Sequence, residues 1–314
     1  MSARRLRPSF RTVKDLVALP AHGAIKGLSC LPDGLQRVVM KAGCALPKAY
    51  FWAPGSHVRR CTENLCAVTG RRDPYWVYST LIDNFGLVLR LSGKLLSRGP
   101  DALTPYMRFD PESLRQLRAA FDEAGGAILL VPHCTGSVLS SVLMSREFPT
   151  VIMARESKSE HRRRIMQKYF DRLGPETIEV RRTPPAAVAR RILKALHEHK
   201  LVIGTTDLIR RKDDTVPVRV FGREAWAPGW PARFAQRRKV PIIPGFIYTD
   251  NGQFVLAGGE PYRTNDLEEG TQRWMSHFEK AIGRWPQDWP FMFEKRWARL
   301  LEEAAADVRR SASA

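Results

Sequence analysis

Residues 110–136 read DPESLRQLRAAFDEAGGAILLVPHCTG. Asp110 before Pro111 and Glu112 is a helix start signal, since its carboxylate can cap free backbone N–H groups and proline suits the first turn. The helix is expected to run to about Ala124, and Gly125-Gly126 ends it. Ala127-Ile128-Leu129-Leu130-Val131 is then a short strand with no polar side, which reads as buried on both faces. It breaks at Pro132 and hands the chain to His133, followed by small and hydroxyl residues.

The same unit recurs downstream. Val151–Ala154 reads as a strand, Ser159–Leu173 as a charged helix stopped by Gly174, and Thr177–Val180 as a strand. Pro184–His199 is a helix with proline in its first turn, and Leu201–Ile203 another strand. Helices alternating with short apolar strands predict an α/β fold with a mixed, mostly parallel central sheet flanked by helices. Val216–Phe221 and Val240–Ile247 are expected to extend that sheet, and Phe254–Gly258 to close an edge hairpin through Asp250-Asn251-Gly252. Tyr75–Leu96 reads as a buried helix, Glu268–Ile282 as another, and the segment from Trp285 to Leu301 is rich in aromatics. The expected division is a basic helical, membrane-associating N-terminal region (1–70), an α/β domain (71–301) and a flexible tail (302–314).

Composition narrows the setting. The chain has 314 residues, 44% apolar and 26% charged, which is an ordinary globular balance and excludes a mainly disordered state. Its 51 Lys+Arg against 32 Asp+Glu give a net charge of +19, so an anionic partner is expected: nucleic acid, a lipid headgroup layer or an acidic protein. No helix-turn-helix, zinc or aromatic RNA-binding signature accompanies the charge, which leaves nucleic acid as the least favoured of the three. The 5 cysteines form no C-x-x-C pair, so no metal site is expected and a reducing compartment fits. No apolar run of about 18 residues, the length of a spanning helix, is present. The leader with Arg4, Arg5, Arg7, Arg11 and Lys14 lacks a solid apolar core and a cleavage site, but it could lie on a membrane surface.

Ligands of open α/β sheets bind outside the carboxyl ends of the strands, so three strand exits are the candidate chemistry. The first presents His133, suited to general-base work, although a histidine that only satisfies its own loop is an equal reading. Cys134 reads as a small buried thiol, and Ser137, Ser140 and Ser141 as helix caps or helix-surface hydroxyls. The second exit is Ala154-Arg155-Glu156 with Glu160, Arg162, Arg163 and Arg164 and, further on, Lys168 and Arg172. These can hold phosphate or an acidic carrier, or simply be a solvated face. The third is Gly204-Thr205-Thr206-Asp207, whose acid could orient a base or be an ordinary turn residue. The aromatics Trp285, Trp289, Phe291, Phe293 and Trp297 could form a membrane-interface belt or pack onto the sheet.

Taken in order, these residues resemble the lipid A biosynthesis (Kdo2-lipid A) lauroyl/myristoyl acyltransferase family, within the lysophospholipid acyltransferase group. The resemblance covers most of the chain. It is carried by Arg59, Arg60 and Asn64; by the unit from Phe109 to His133; by Arg155 and the helix ending in Arg172-Leu173-Gly174; and by Asp207. It continues through Pro217–Gly222, Gly229–Ala235 and Val240–Pro244 to Trp285-Pro286, Trp289 and Arg296-Trp297. The fold it implies is glycerol-3-phosphate acyltransferase-like. The implied activity moves a fatty acyl chain from a thioester, on acyl carrier protein or CoA, to a hydroxyl or amine of a lipid or glycolipid. No further cofactor is implied. His133 would be the base, Asp207 its partner, and Arg155, Arg172, Arg164 and Ser137 would bind substrate. The place implied is the cytoplasmic face of the bacterial inner membrane, held peripherally or monotopically on an anionic surface.

One departure stands out. The resemblance calls for Asp or Glu after four intervening residues beyond the histidine, and this chain has Val138 there. Asp207, Glu156 and Glu147, in that order, are the acids that could replace it. Alternatively a hydroxyl, Ser137 or Thr135, serves His133, or catalysis is lost and the chain is a lipid- or carrier-binding homologue.

Overall fold

The computed structural model describes residues 23–25, 27–157, 159–211 and 214–313. The basic leader of the sequence reading, residues 1–22, lies outside the described residues. The chain forms a seven-stranded sheet with helices on both faces. Its strands are β1 (Met107–Phe109), β2 (Ala127–Val131), β3 (Thr150–Ala154), β4 (Glu176–Glu179), β5 (Leu201–Thr205), β8 (Ile242–Asp250) and β9 (Gln253–Gly258), in the order β1-β9-β8-β2-β5-β3-β4. All neighbours run parallel except β8 and β9. The mostly parallel α/β architecture is the one the alternating pattern predicts.

The helices are α1 (Asp33–Ala49), α2 (His57–Thr69), α3 (Pro74–Arg98), α4 (Pro111–Ala124), α5 (Ser141–Glu147), α6 (Glu160–Leu173), α7 (Pro185–His197), α8 (Trp230–Arg238), α9 (Leu267–Arg284) and α10 (Lys295–Ser313). Local chemistry sets their ends. The Asp110 carboxylate accepts the Ser113 N–H at 3.0 Å to start α4, a cap worth about 1 kcal/mol. Gly125, with φ of 63°, ends α4 in the left-handed region. β2 follows directly and is buried at every position, the signature of a strand covered on both faces.

Two strand expectations change. Thr215–Val220 (β6) does not join the main sheet; it pairs antiparallel with Arg223–Pro228 (β7) as a separate hairpin. The reversal falls on Phe221 and Gly222, both at positive φ, which suits a two-residue turn of the twisted kind. β9 does pair with β8 through Asn251-Gly252, but it is not the edge, because β1 lies outside it with Met107 beside Phe254. A three-residue strand after a run of 3₁₀ turns carries too short a pattern to be read in sequence.

The described part of residues 1–70 is not set apart from the core, since Leu65 and Cys66 of α2 belong to the same buried cluster as β2 and β5. At the other end, α10 continues to Ser313 and buries Ala304 and Ala305 where a flexible tail was expected. Among the described residues, no helix is long and apolar enough to cross a membrane.

Candidate active site

The parallel pairing of β2 with β5 places the site. Val131 sits opposite Thr205, the last residue of each strand. Two residues further along each chain stand His133 and Asp207, so the in-register strands deliver both to one place. The Asp207 carboxylate grips the histidine twice: Oδ1 meets the ring Nδ1, and Oδ2 accepts the His133 backbone N–H at 2.9 Å. An ionised carboxylate can only accept, so this contact puts the ring proton on Nδ1 and leaves the Nε2 lone pair for chemistry.

Asp207 is fully buried. Its Oδ2 also accepts the Trp289 indole N–H at 3.0 Å, and its backbone carbonyl accepts the Trp297 indole N–H at 2.6 Å. The two indoles pack edge to face, 4.8 Å apart. A buried carboxylate is costly without such donors, so the tryptophans are what allow an acid at this depth. The imidazole of His133 stacks on Phe291 with centroids 3.8 Å apart and planes at 9°. Held on one edge by Asp207 and on one face by Phe291, it keeps 32% of its side chain exposed.

That exposed part opens on a cavity of about 350 Å³. Its wall is mostly apolar: Met144 and Val138 on one side, Ile152 and Met153 from β3, Met166 and Phe170 from α6, with Ile203, Leu208, Ile247 and Phe291. The volume and apolar lining suit a small-molecule or lipid-chain ligand, with a few polar groups at one end to fix its orientation. The exposed Arg155 and the half-buried Ser137 are among those polar groups.

The segment after β2 has its own constraints. Thr135 donates both its N–H, at 2.9 Å, and its hydroxyl, at 3.2 Å, to the Asp288 carbonyl. A Cβ on Gly136 would lie 2.5 Å from the Phe254 ring, so only glycine lets the loop pass this close. Asp288 is itself buried, with Oδ1 held by Asn84 at 2.8 Å and Thr249 at 2.7 Å while Oδ2 has no hydrogen-bond partner among the described residues. Burial pushes its carboxyl up to about 6. Cys134 is buried and its thiol is raised well above the ordinary range by desolvation, which keeps it an inert filler.

Of the residues singled out in the sequence, His133, Asp207, Arg155 and Ser137 come together here. The Ser137 hydroxyl donates to the Cys134 carbonyl at 2.9 Å, so it braces the loop. Arg172 lies elsewhere, with its guanidinium on the terminal carbonyls of Leu95 and Leu96 in α3. Such a cation at a helix C-terminus is a structural cap. Arg164 is exposed and pairs with Glu160 one turn back at 2.5 Å. The other two candidate acids are also engaged away from the histidine, Glu156 with Arg163 at 3.9 Å and Glu147 with Arg118. Val138, at the position where an acid is expected, is 45% exposed and lines the cavity. The terminal aromatics are not a membrane belt: Trp289 and Trp297 are buried against Asp207. The sequence leaves both between a membrane-interface belt and packing onto the sheet, because an indole that serves a carboxylate looks the same in sequence as one that fills a core.

A histidine with an oriented ring, a buried acid behind it and an apolar cavity in front stand together at the carboxyl ends of β2 and β5. The family model for bacterial lipid A biosynthesis acyltransferases matches residues 17–299, and the chain belongs to that family of lipid acyltransferases. No curated protein matches the chain.

Proposed function

We propose that this protein transfers a fatty acyl chain from a thioester, carried by an acyl carrier protein or by CoA, to a hydroxyl or amine of a lipid or glycolipid at the inner face of a membrane. The observation that carries the reading is the Asp207 carboxylate on Nδ1 of a histidine whose open part lines an apolar cavity. His133 Nε2 removes the acceptor proton as the acceptor oxygen or nitrogen attacks the thioester carbonyl. The carbon–sulfur bond breaks when the tetrahedral intermediate collapses, and the thiolate leaves with the proton held on the imidazolium. Asp207 holds the ring in its productive tautomer and steadies its charged form, as the acid of a catalytic triad does. Arg155 supplies positive charge for a phosphate on donor or acceptor, and the apolar wall takes the chain.

The test is incubation of the protein with acyl carrier protein thioester and membrane lipid, followed by mass analysis of the lipid. An increase of one acyl group that depends on His133 supports the reading. No acylated product with either thioester carrier and any lipid class would leave a lipid- or carrier-binding homologue instead.

A further inference from the structure

The chain between α9 and α10 meets the catalytic pair and its loop from residues close together in sequence. The Asp288 carbonyl accepts the N–H and the hydroxyl of Thr135, two residues beyond His133. The Trp289 indole donates to Asp207 Oδ2, and the Phe291 ring lies flat on the His133 imidazole. The loop, the acid and the base are therefore all held from residues 288–291. Yet this stretch consists of two short 3₁₀ pieces, Pro286–Asp288 and Pro290–Phe293, which are too short to keep a conformation by their own hydrogen bonds. Something outside the stretch has to fix it.

The Asp288 side chain makes that attachment. It is 1% exposed, and its Oδ1 accepts the Asn84 amide of α3 at 2.8 Å and the Thr249 hydroxyl of β8 at 2.7 Å. The same Asn84 amide reaches the Gln287 carbonyl at 3.4 Å. One residue before Thr249, the Tyr248 ring stacks on Trp285 with centroids 4.2 Å apart and planes at 6°. The Asp288 N–H donates to the Trp285 carbonyl at 3.1 Å and the Trp289 N–H to the Pro286 carbonyl at 3.2 Å, so one tight turn joins both attachments to the indole that serves Asp207. Without an acceptor at this place the buried Asn84 amide and the Thr249 hydroxyl would lose their partner, and the turn its link to α3. Asp288 Oδ2 makes no hydrogen bond among the described residues, so the attachment rests on one oxygen and not on the second.

We propose that Asp288 is a positioning residue for acyl transfer: through Oδ1 it fixes the turn whose carbonyl, indole and ring hold the histidine loop, Asp207 and the His133 imidazole. This deepens the acyltransferase reading and rests on it only for the reaction that the positioning serves. The effect falls on kcat, because a base displaced from its productive geometry slows the reacting step. Binding is spared, because Phe291 is the one residue of the 285–294 stretch that lines the cavity.

The test compares wild type with Asp288→Leu, Asp288→Asn and Thr249→Val, each shown folded by its thermal melt, in steady-state transfer from acyl carrier protein thioester to membrane lipid and by NMR of the His133 ring protons. Asp288→Leu removes the acceptor, and kcat is expected to fall about tenfold to hundredfold while the KM for the thioester stays within about twofold. Asp288→Asn keeps an oxygen for Asn84 and Thr249 and is expected to restore kcat to within about threefold of wild type. Thr249→Val removes one donor and should lower kcat about threefold to tenfold, which decides the matter if the leucine variant does not fold. The His133 ring protons, shielded by Phe291 at 3.8 Å, should shift in Asp288→Leu and not in Asp288→Asn. Unchanged kcat in Asp288→Leu and Thr249→Val would overturn the assignment, as would a raised KM with kcat intact or unmoved His133 resonances in the leucine variant. A loss in Asp288→Asn as large as in Asp288→Leu would also overturn it, because the acceptor oxygen would then not be what matters. The expected resonance shifts with no acyl transfer by any of the proteins, wild type included, would instead sink the acyltransferase reading and leave the positioning of the imidazole standing.

Discussion

His133 and Asp207 each stand two residues beyond the paired strand ends Val131 and Thr205, and this register is why they meet across 74 residues of sequence. The acid comes from the neighbouring strand, so the position five residues beyond the histidine is released from that duty, and Val138 lines the cavity there instead. A carboxylate at 138 is therefore expected to do nothing for the ring and to place charge on an apolar wall. Val138→Asp in an Asp207→Asn background should be no more active than Asp207→Asn alone. Recovery of activity by the added acid would show that the histidine takes its partner from its own loop.

Trp289 matters through one hydrogen bond. Its indole N–H is one of the donors that make a buried Asp207 tolerable, and Trp289→Phe removes it while keeping most of the ring. Leaving a carboxylate oxygen short of one donor costs about 1–3 kcal/mol, which on the reacting geometry is roughly a tenfold to hundredfold loss of kcat. The KM for the thioester should change little, since the indole lies behind the histidine. An unchanged kcat would mean that the remaining contacts to Asp207 suffice.

A buried carboxyl and a half-buried imidazole tilt stability with pH in opposite directions. Asp288 has an ordinary carboxyl value of 3.8 and is pushed up to about 6 by burial. Between these values the unfolded chain has released the proton and the folded one has not, so stability falls as pH rises through the window, by about 3 kcal/mol in total. His277 is pushed down from 6.5 to about 4, chiefly by burial and then by Lys280. Here the unfolded chain binds the proton first, so stability falls as pH drops from 6.5 toward 4, again by about 3 kcal/mol. Their contributions offset one another between pH 4 and 6. Chemical denaturation across that range should show Asp288→Asn gaining stability relative to wild type as pH rises, and His277→Gln gaining as pH falls. Parallel profiles for wild type and both variants would contradict the assignment of these two groups.

The sheet was legible because Ala127–Val131, Val151–Ala154 and Leu201–Ile203 are short, wholly apolar and separated by helices with clear caps and glycine stops, and few folds satisfy that pattern. The histidine was legible from its place at a strand exit. Asp207 could be named only as the first of three acids, because sequence carries no register between β2 and β5, and register alone decides which acid arrives. Arg172 shows the opposite failure: an arginine in the last turn of a helix reads as a ligand for phosphate, yet it binds the carbonyls that end α3. The β6–β7 hairpin was misplaced because a strand pairing with its immediate neighbour has the same alternation as one joining a sheet edge. Phe291 is legible only as one of the terminal aromatics, belt or core, since a ring that stacks on the His133 imidazole differs from a core ring only in what lies opposite it.

The most direct test of the whole account is the rate of acyl transfer from acyl carrier protein thioester to membrane lipid by wild type, His133→Ala and Asp207→Asn, each shown folded by its thermal melt. Loss of the base is expected to remove detectable transfer, and loss of the orienting carboxylate to lower kcat by about 10³–10⁴-fold, as removal of the acid of a triad does. Transfer by Asp207→Asn within a few-fold of wild type, or by His133→Ala at any comparable rate, would contradict it.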